Sequence, residues 1–218
     1  MHKNLLNLQE IKKEIYSKKK DETQKVNIIA VSKTFTMDHI TPLIKNGHCH
    51  FGENKVQEAD LKWSDVVANN KDIKLHMLGK LQTNKVKQAV KLFDYIHSLD
   101  SLKLAKKISL EQEKIDKKLK LFIQLNIDDE DQKSGIAVNE LKDFYECLVN
   151  EMKMSIIGLM CIPSIHSNKK IVYDKMNSLK NEFGLQELSM GMSSDYIEAV
   201  EFGSTFVRVG SKIFGKRS

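Results

Sequence analysis

Residues 26–52 read VNIIAVSKTFTMDHITPLIKNGHCHFG, and they establish a strand–helix–strand pattern. The apolar, β-branched run at 26–31 predicts a buried strand, and CHFG at 49–52 predicts a second one. A helix is expected between them, near 37–46. Strands that are joined through a helix normally lie parallel in one sheet, so this segment predicts a unit of parallel β-sheet.

The same alternation continues in both directions along the chain. The other predicted strands are 73–78, 94–99, 119–127, 155–160, 185–191 and 205–210. The other predicted helices are 4–18, 54–69, 82–92, 101–118, 139–150, 168–183, 195–201 and a short helix at the C-terminus. Eight strand–helix repeats behind one extra N-terminal helix predict an α/β protein with a single (β/α)₈ TIM barrel over residues 1–218. An open, doubly wound sheet is the alternative.

The bulk composition is typical of a soluble globular protein. Of the 218 residues, 41% are hydrophobic and 29% are charged,. No apolar run approaches the roughly 20 residues that cross a bilayer. The N-terminus carries charges throughout and lacks the apolar centre of a secretory signal. We therefore expect a cytoplasmic protein without a membrane partner.

The cysteines and histidines do not predict a metal site. Cys49, Cys147 and Cys161 are widely spaced and form no CxxC pair, which predicts reduced, structural thiols,. His48 and His50 alternate along a predicted strand, so they would face the same side. No Cys or Asp stands near them at a spacing typical of a metal site, and we expect structural or surface histidines.

The net charge of +6 raises the question of nucleic-acid binding. Of the 35 basic residues only Arg208 and Arg217 are arginine, and the lysines are mostly interleaved with acids. That pattern is typical of solvated helix faces. No basic cluster carries interleaved aromatic residues that would stack on bases. We expect no nucleic-acid partner.

Lys33 follows directly after the first predicted strand, in IIAVSKTF at 28–35. In a barrel this position is at the carboxyl-terminal mouth, where the active sites of such folds lie. Desolvation there would lower the pKa of the amine and yield a neutral nucleophile that forms an imine with an aldehyde. The alternative, in a lysine-rich chain, is a side chain that merely extends to solvent.

Two Gly/Ser turns predict an anion site at the same mouth. Gly191–Ser194 follows the seventh predicted strand, Gly210–Ser211 follows the eighth, and each leads into a helix. Backbone N–H groups and small hydroxyls at such turns bind phosphate, and these two loops are the favoured phosphate position of the barrel. The alternative is that these glycines and serines only form the turns between strands and helices.

Arg208 interrupts an apolar strand, FVRV, beside the second of these turns. A charge in that position needs a partner. A ligand's ring nitrogen, which the guanidinium would hold unprotonated, is one candidate. A carboxylate at the barrel rim, such as Glu198 or Glu201, is the other.

Ordered motifs through most of the chain resemble those of the pyridoxal 5′-phosphate (PLP) homeostasis proteins. They are AVSKT (30–34), FGENKVQE (51–58), HMLGKLQTNK (76–85), QLNIDDEDQKSGI (124–136), GLMCIP (158–163), LSMGMSSD (188–195) and GSTFVRVGSKIFG (203–215). That family shares its barrel with the N-terminal domain of alanine racemase, a fold type III PLP protein. The resemblance therefore implies PLP as the cofactor.

The resemblance also implies roles for individual residues. Lys33 matches the lysine that forms a Schiff base with PLP, and Arg208 matches the arginine that faces the pyridine nitrogen. Ser193, Gly210 and Ser211 match positions that hold the phosphate. Asn54, Asn84 and Met192 match residues that line the cofactor. Lys133 matches a second lysine that is suspected of accepting PLP.

We expect a monomer that buffers PLP and delivers it to PLP-dependent apo-enzymes, without robust catalysis. Racemases of this fold use a second acid/base tyrosine from a C-terminal β-domain, and we expect no such domain after the eighth repeat here. The alternatives are an amino-acid racemase in which His76 or Tyr196 replaces that acid, and a PLP-free barrel enzyme that acts on a phosphorylated metabolite.

Overall fold

The computed structural model describes residues 2–128 and 134–215 and gives an α/β architecture. The strands are β1 Asn27–Val31, β2 His50–Glu53, β3 Lys74–Met77, β4 Tyr95–Leu99, β5 Lys120–Asn126, β6 Ile136–Ala137, β7 Ile156–Cys161, β8 Glu187–Met192 and β9 Phe206–Val209. The helices are α1 Lys3–Lys18, α2 Met37–Lys45, α3 Val56–Asn69, α4 Val86–Leu92, α5 Leu102–Glu113, α6 Leu141–Glu146, α7 Lys169–Glu182, α8 Tyr196–Glu201 and α9 Ser211–Phe214.

The strands close into a parallel barrel. Their order is β4-β3-β2-β1-β9-β8-β7-β5, and β4 pairs with β5 to complete the ring, with Tyr95 opposite Lys120 and Ile96 opposite Leu121. The two-residue strand β6 is added beside β5. The predicted (β/α)₈ barrel is therefore confirmed, and the open sheet is wrong because the β4–β5 pair leaves no edge between them.

Apolar side chains fill two separate layers. The larger core lies between the strands and the surrounding helices and includes Phe51, Trp63 and Tyr173. A smaller core fills the barrel interior, where Ile29, Phe122, Met160 and Phe206 are buried together with Tyr95. Strand alternation divides the side chains between these layers, so every second residue of a strand points into the barrel.

Several element boundaries differ from those predicted. Helix α5 ends at Glu113 instead of residue 118, since Gln112 accepts hydrogen bonds from the Lys117 and Leu119 amides. Asp116 has φ +48° in that turn, which a continuing helix does not allow,. The predicted helix at 139–150 is also broken, because α6 gives way to a π-helical turn at Cys147–Glu151.

The extra N-terminal helix is confirmed, and it packs on α2, α8 and α9. The Asn7 side-chain amide donates to the Ile213 carbonyl at 2.8 Å, and Lys212 pairs with Glu14 at 2.8 Å. Helix α1 is thereby attached to the segment after β9, on the side of the barrel that carries the site described below. In residues 2–128 and 134–215, no helix combines the length and apolar character that a membrane span requires.

Candidate functional site

A cavity of about 760 Å³ opens at the carboxyl-terminal ends of the strands. Most of the residues predicted for the site line this cavity, namely Lys33, Asn54, Met192, Ser193, Arg208, Gly210 and Ser211. They come from loops after β1, β2, β8 and β9, from Met192 at the end of β8 and from Arg208 within β9. Parallel strands bring these distant segments together because their carboxyl-terminal ends share one face of the barrel.

Lys33 stands at the edge of the cavity, two residues beyond the end of β1, and its side chain is half-buried. Its two neighbours in the chain are both held by carboxylates. The Ser32 hydroxyl donates to Glu53 at 2.8 Å, and the Thr34 amide donates to Glu58 at 2.6 Å. Thr34 has φ +69°, a left-handed conformation that is costly for a β-branched residue, so these bonds stabilise an unusual turn,.

Lys62 of α3 joins the two carboxylates behind this turn. Its ammonium group lies 3.0 Å from Glu53 and 3.1 Å from Glu58, and it donates to the Ser32 carbonyl at 2.9 Å. Burial raises the pKa of the Glu58 carboxyl, but the hydrogen bonds from the Thr34 amide and Lys62 outweigh burial and lower it. The chain on both sides of Lys33 is therefore fixed by one ionic network.

Three residues of this network, Glu53, Glu58 and Lys62, were not predicted from the sequence. The two glutamates stand inside the FGENKVQE block, and Lys62 follows it by one helical turn after Glu58. The sequence does show that Glu58 and Lys62 are an i,i+4 pair on α3,. Their contact with the Lys33 turn depends on the pairing of β1 with β2.

The two predicted anion turns lie against each other. The Ser193 hydroxyl accepts a hydrogen bond from the Gly210 amide at 3.1 Å. Asp195 accepts from the Met192 amide at 2.6 Å and so closes the first turn. Gly191 has φ +89°, and a side chain there would meet Ala199, so only glycine suits this position,. Hydroxyls and amides from both loops therefore line one end of the cavity.

Arg208 forms part of the cavity wall although it is only 5% exposed. Its NH1 group donates to the Ser189 carbonyl at 2.6 Å and to the Ser189 hydroxyl at 2.8 Å, and NH2 donates to the Cys161 carbonyl at 2.8 Å. Burial lowers the pKa of the guanidinium, but arginine stays protonated in proteins. Neutral acceptors hold this charge, so the proposed rim carboxylate is not its partner, and Glu201 pairs instead with Lys18.

Other predicted positions lie elsewhere. Asn84 is exposed on the 3₁₀ turn Thr83–Lys85 and does not line the cavity, so its assignment stays a prediction without support from the geometry. Lys133 and the second arginine, Arg217, lie outside the described residues. His76 is fully buried inside the barrel, and the Tyr196 hydroxyl is bonded to Glu14 and Lys212.

Cys49, Cys147 and Cys161 are free thiols. Burial raises the pKa of the Cys161 thiol to about 12, which keeps it protonated and unreactive,. Within the described ranges, no three His, Cys, Asp or Glu side chains are arranged to hold a metal ion. The positively charged and hydrogen-bonding groups around the cavity therefore define the chemistry of the site.

Known proteins match this chain over nearly its whole length. The family model for the alanine racemase N-terminal domain matches residues 6–218. The pyridoxal phosphate homeostasis protein of Pasteurella multocida is 34% identical in an alignment 227 residues long, which covers 100% of this chain and 97% of that protein.

Solved structures share the fold. PipY of Synechococcus elongatus, solved without PLP and with PLP bound, is 32% identical, with TM-scores of 0.87 and 0.85. The superpositions cover 98% and 97% of this chain and 100% of PipY. An alanine racemase of Clostridium difficile has the same barrel at a TM-score of 0.75 and 16% identity, over 57% of its length. The chain belongs to the pyridoxal phosphate homeostasis protein family, whose barrel is that of the alanine racemase N-terminal domain.

Proposed function

We propose that this protein binds PLP covalently as a Schiff base on Lys33 and that it buffers and delivers the cofactor in the cell. The observation that carries the proposal is the convergence of three groups on one cavity: the Lys33 amine, the Ser193–Gly210 turn pair and the Arg208 guanidinium. An aldehyde, a phosphate and a ring nitrogen are the three polar features of PLP, and each group suits one of them. The relative PipY has been solved with PLP bound.

The fit of the residues to PLP follows from their chemistry. The cavity, at about 760 Å³, lies within the ordinary range for small-molecule sites of roughly 300–1,000 Å³,. Amides and hydroxyls of the two turns would bind the phosphate,. Asn54 and Met192 would contact the ring from the sides.

Arg208 determines which chemistry the bound cofactor supports. PLP acts as an electron sink that is strongest when its pyridine nitrogen is protonated. A guanidinium has donors and no acceptor, so Arg208 would donate to this nitrogen and keep it unprotonated. That arrangement makes PLP a weaker electron sink, and it therefore favours binding of PLP over catalysis with it.

The lining of the cavity also favours a carrier over a racemase. A racemase needs an acid/base group on each face of its substrate, and such a group contributes roughly 10²–10⁴-fold. Lys33 is one such group. Among the described residues that line the cavity there is no carboxylate, histidine or tyrosine. His76 and Tyr196, the two replacements considered above, are both engaged elsewhere.

Near-visible absorption during a titration with PLP tests the covalent site. The wild-type protein should develop a Schiff-base band that borohydride removes, and Lys33→Ala should not. Lys87→Ala, an exposed lysine on α4, is the matched control and should behave as the wild type. A Lys33→Ala protein that gains the same band would contradict the proposal. A wild type without any band would instead favour the PLP-free enzyme acting on a phosphorylated metabolite.

Two further measurements separate carrier from racemase. The PLP-loaded protein should reactivate a PLP-dependent apo-enzyme when the two are mixed. It should not exchange the α-proton of either enantiomer of an amino acid with deuterated water at enzymatic rates. Rapid exchange with both enantiomers would establish the racemase. We place this function in the cytoplasm and expect a monomer, which light scattering of the full chain would test.

A further inference from the structure

A continuous hydrogen-bonded chain crosses the barrel interior and ends on Arg208. His50 Nδ1 lies 2.9 Å from His76 Nε2, and His76 Nδ1 lies 2.9 Å from His97 Nε2. His97 Nδ1 lies 2.8 Å from the Ser189 hydroxyl, which Arg208 also contacts at 2.8 Å. The chain starts at the first residue of β2, near the amino-terminal end of the barrel, and reaches the cavity at its carboxyl-terminal end.

Arg208, the last group in this series of hydrogen bonds, determines which atom donates in each of them. Arg208 can only donate, so the Ser189 oxygen accepts from it. The Ser189 hydroxyl is fully buried, and its other contact in the described parts of the chain is His97 Nδ1. If His97 donated instead, the buried hydroxyl hydrogen would have no acceptor, which is costly. The hydroxyl therefore donates to His97.

This direction fixes the tautomer of each imidazole in turn. His97 accepts at Nδ1 and so carries its proton on Nε2, from which it donates to His76 Nδ1. His76 likewise donates from Nε2 to His50 Nδ1. All three rings are neutral Nε2–H tautomers in this arrangement. Burial lowers the pKa of His76 and of His97 well below the ordinary value, and the Arg208 charge acts in the same direction on His97.

Aromatic neighbours hold the two central rings in place. His76 stacks on Tyr95 and His97 stacks on Phe122, each with ring centroids 4.2 Å apart and planes 15° from parallel. The rings therefore have little freedom to turn away from their hydrogen-bond partners. The Ser189 oxygen, whose own hydrogen is donated to an imidazole, becomes a better acceptor for Arg208 because consecutive hydrogen bonds polarise one another.

We infer that Ser189 and His97, supported by His76 and His50, are positioning residues that fix the orientation of the Arg208 guanidinium at the cavity. The step from this orientation to the cofactor rests on the proposed function, in which Arg208 faces the pyridine nitrogen of PLP. Without the hydrogen-bonded histidines and Ser189 hydroxyl, the guanidinium retains the Ser189 and Cys161 carbonyls but loses its third acceptor.

The guanidinium itself provides a test that needs no cofactor. The sequence contains two arginines, so the side-chain nitrogens of Arg208 can be resolved by NMR in the PLP-free protein. We expect slow rotation of the Arg208 guanidinium and Nε2–H tautomers for His50, His76 and His97. In Ser189→Ala and His97→Leu the guanidinium rotation should become at least tenfold faster. His48→Gln changes a buried histidine that hydrogen bonds to the backbone carbonyl of His50 and to none of the three imidazoles, so it should leave the rotation unchanged.

Two results would overturn the inference. One is an Arg208 rotation rate in Ser189→Ala and His97→Leu equal to that of the wild type. The other is a Nδ1–H tautomer for His97 in the wild type. His97→Gln, whose amide can accept from Ser189 and donate onward, should restore slow rotation even if His97→Leu is poorly stable. These outcomes are independent of whether the protein binds PLP.

PLP affinity then tests the functional step. His97→Leu and Ser189→Ala should raise the dissociation constant of PLP about tenfold, while His97→Gln and His48→Gln should stay near the wild-type value. Unchanged affinity in variants whose guanidinium rotates freely would overturn the functional step, since the orientation of Arg208 would then not contribute to PLP binding. A wild type that does not bind PLP would contradict the proposed function, and the NMR result would still decide on the orientation of Arg208.

Discussion

Lowering the pH from 7 to 5 should destabilise the folded protein strongly because three histidines are buried in their neutral form, and burial lowers the pKa of the half-buried His50 in the same direction. Burial lowers the pKa of His48 to about 3, and it lowers the pKa of His76 and His97 well below the ordinary value. The unfolded chain takes up these protons near pH 6.5, whereas the folded chain does not. Stability is therefore complete above about pH 6.5 and is lost as the pH falls below it.

The size of this effect follows from linkage. Each histidine that stays neutral in the folded state contributes a loss of about 2 kcal/mol between pH 7 and pH 5. His48, His76 and His97 together give about 6 kcal/mol, a large part of the roughly 5–15 kcal/mol that stabilises a typical domain. Carboxylates add little in this interval, since their unfolded pKa lies near 4.

Urea denaturation at the two pH values measures this loss directly. His97→Gln should reduce the pH-dependent loss by about a third, or about 2 kcal/mol, because one of the three groups is removed. His166→Gln is the control and should leave the loss unchanged, since His166 is exposed to water in the folded protein. An unfolding free energy that changes by less than about 1 kcal/mol between the two pH values would refute the reasoning.

Three further substitutions, the first with a matched control, test other parts of the fold and the site. Gly191→Ala should cost more than about 2 kcal/mol in urea denaturation, because φ is +89° and the new methyl group would overlap a neighbour; Gly184→Ala, at φ +62° in open space, should cost only about 1 kcal/mol,. Glu53→Gln should cost about 2 kcal/mol by removing the charge of the fully buried carboxylate that pairs with Lys62, and an unchanged unfolding free energy would contradict this,. Ser193→Ala should weaken PLP binding about tenfold in an absorption titration while leaving stability unchanged,.

The barrel could be predicted from the sequence because its signals are local. Apolar runs such as 119–127 and the helical periodicity between them give eight repeats, and closure follows from that number. The ends of the helices and strands were predicted less accurately. Helix α5 stops at Glu113 because Gln112 hydrogen bonds to the next turn, and this bond competes with a lysine-rich segment that otherwise favours helix.

The site was predicted where each residue follows a strand, as Lys33 and Ser193 do. The histidine chain was not, because His50, His76 and His97 come from three strands and meet only through the pairing of β2, β3 and β4. Sequence alone indicated structural histidines and gave no reason to connect them with Arg208. The Lys62 network was missed for the same reason, since it joins a helix to a loop from the preceding repeat.

The central claim is that PLP bonds to Lys33 in preference to the many other lysines of this chain. Borohydride reduction of the PLP-loaded protein, followed by proteolysis and mass spectrometry, identifies the modified lysine. We expect stoichiometric label on the peptide that contains Lys33, at PLP concentrations that leave the exposed lysines unmodified. Label on Lys133 or scattered over surface lysines, with the Lys33 peptide unmodified, would contradict it.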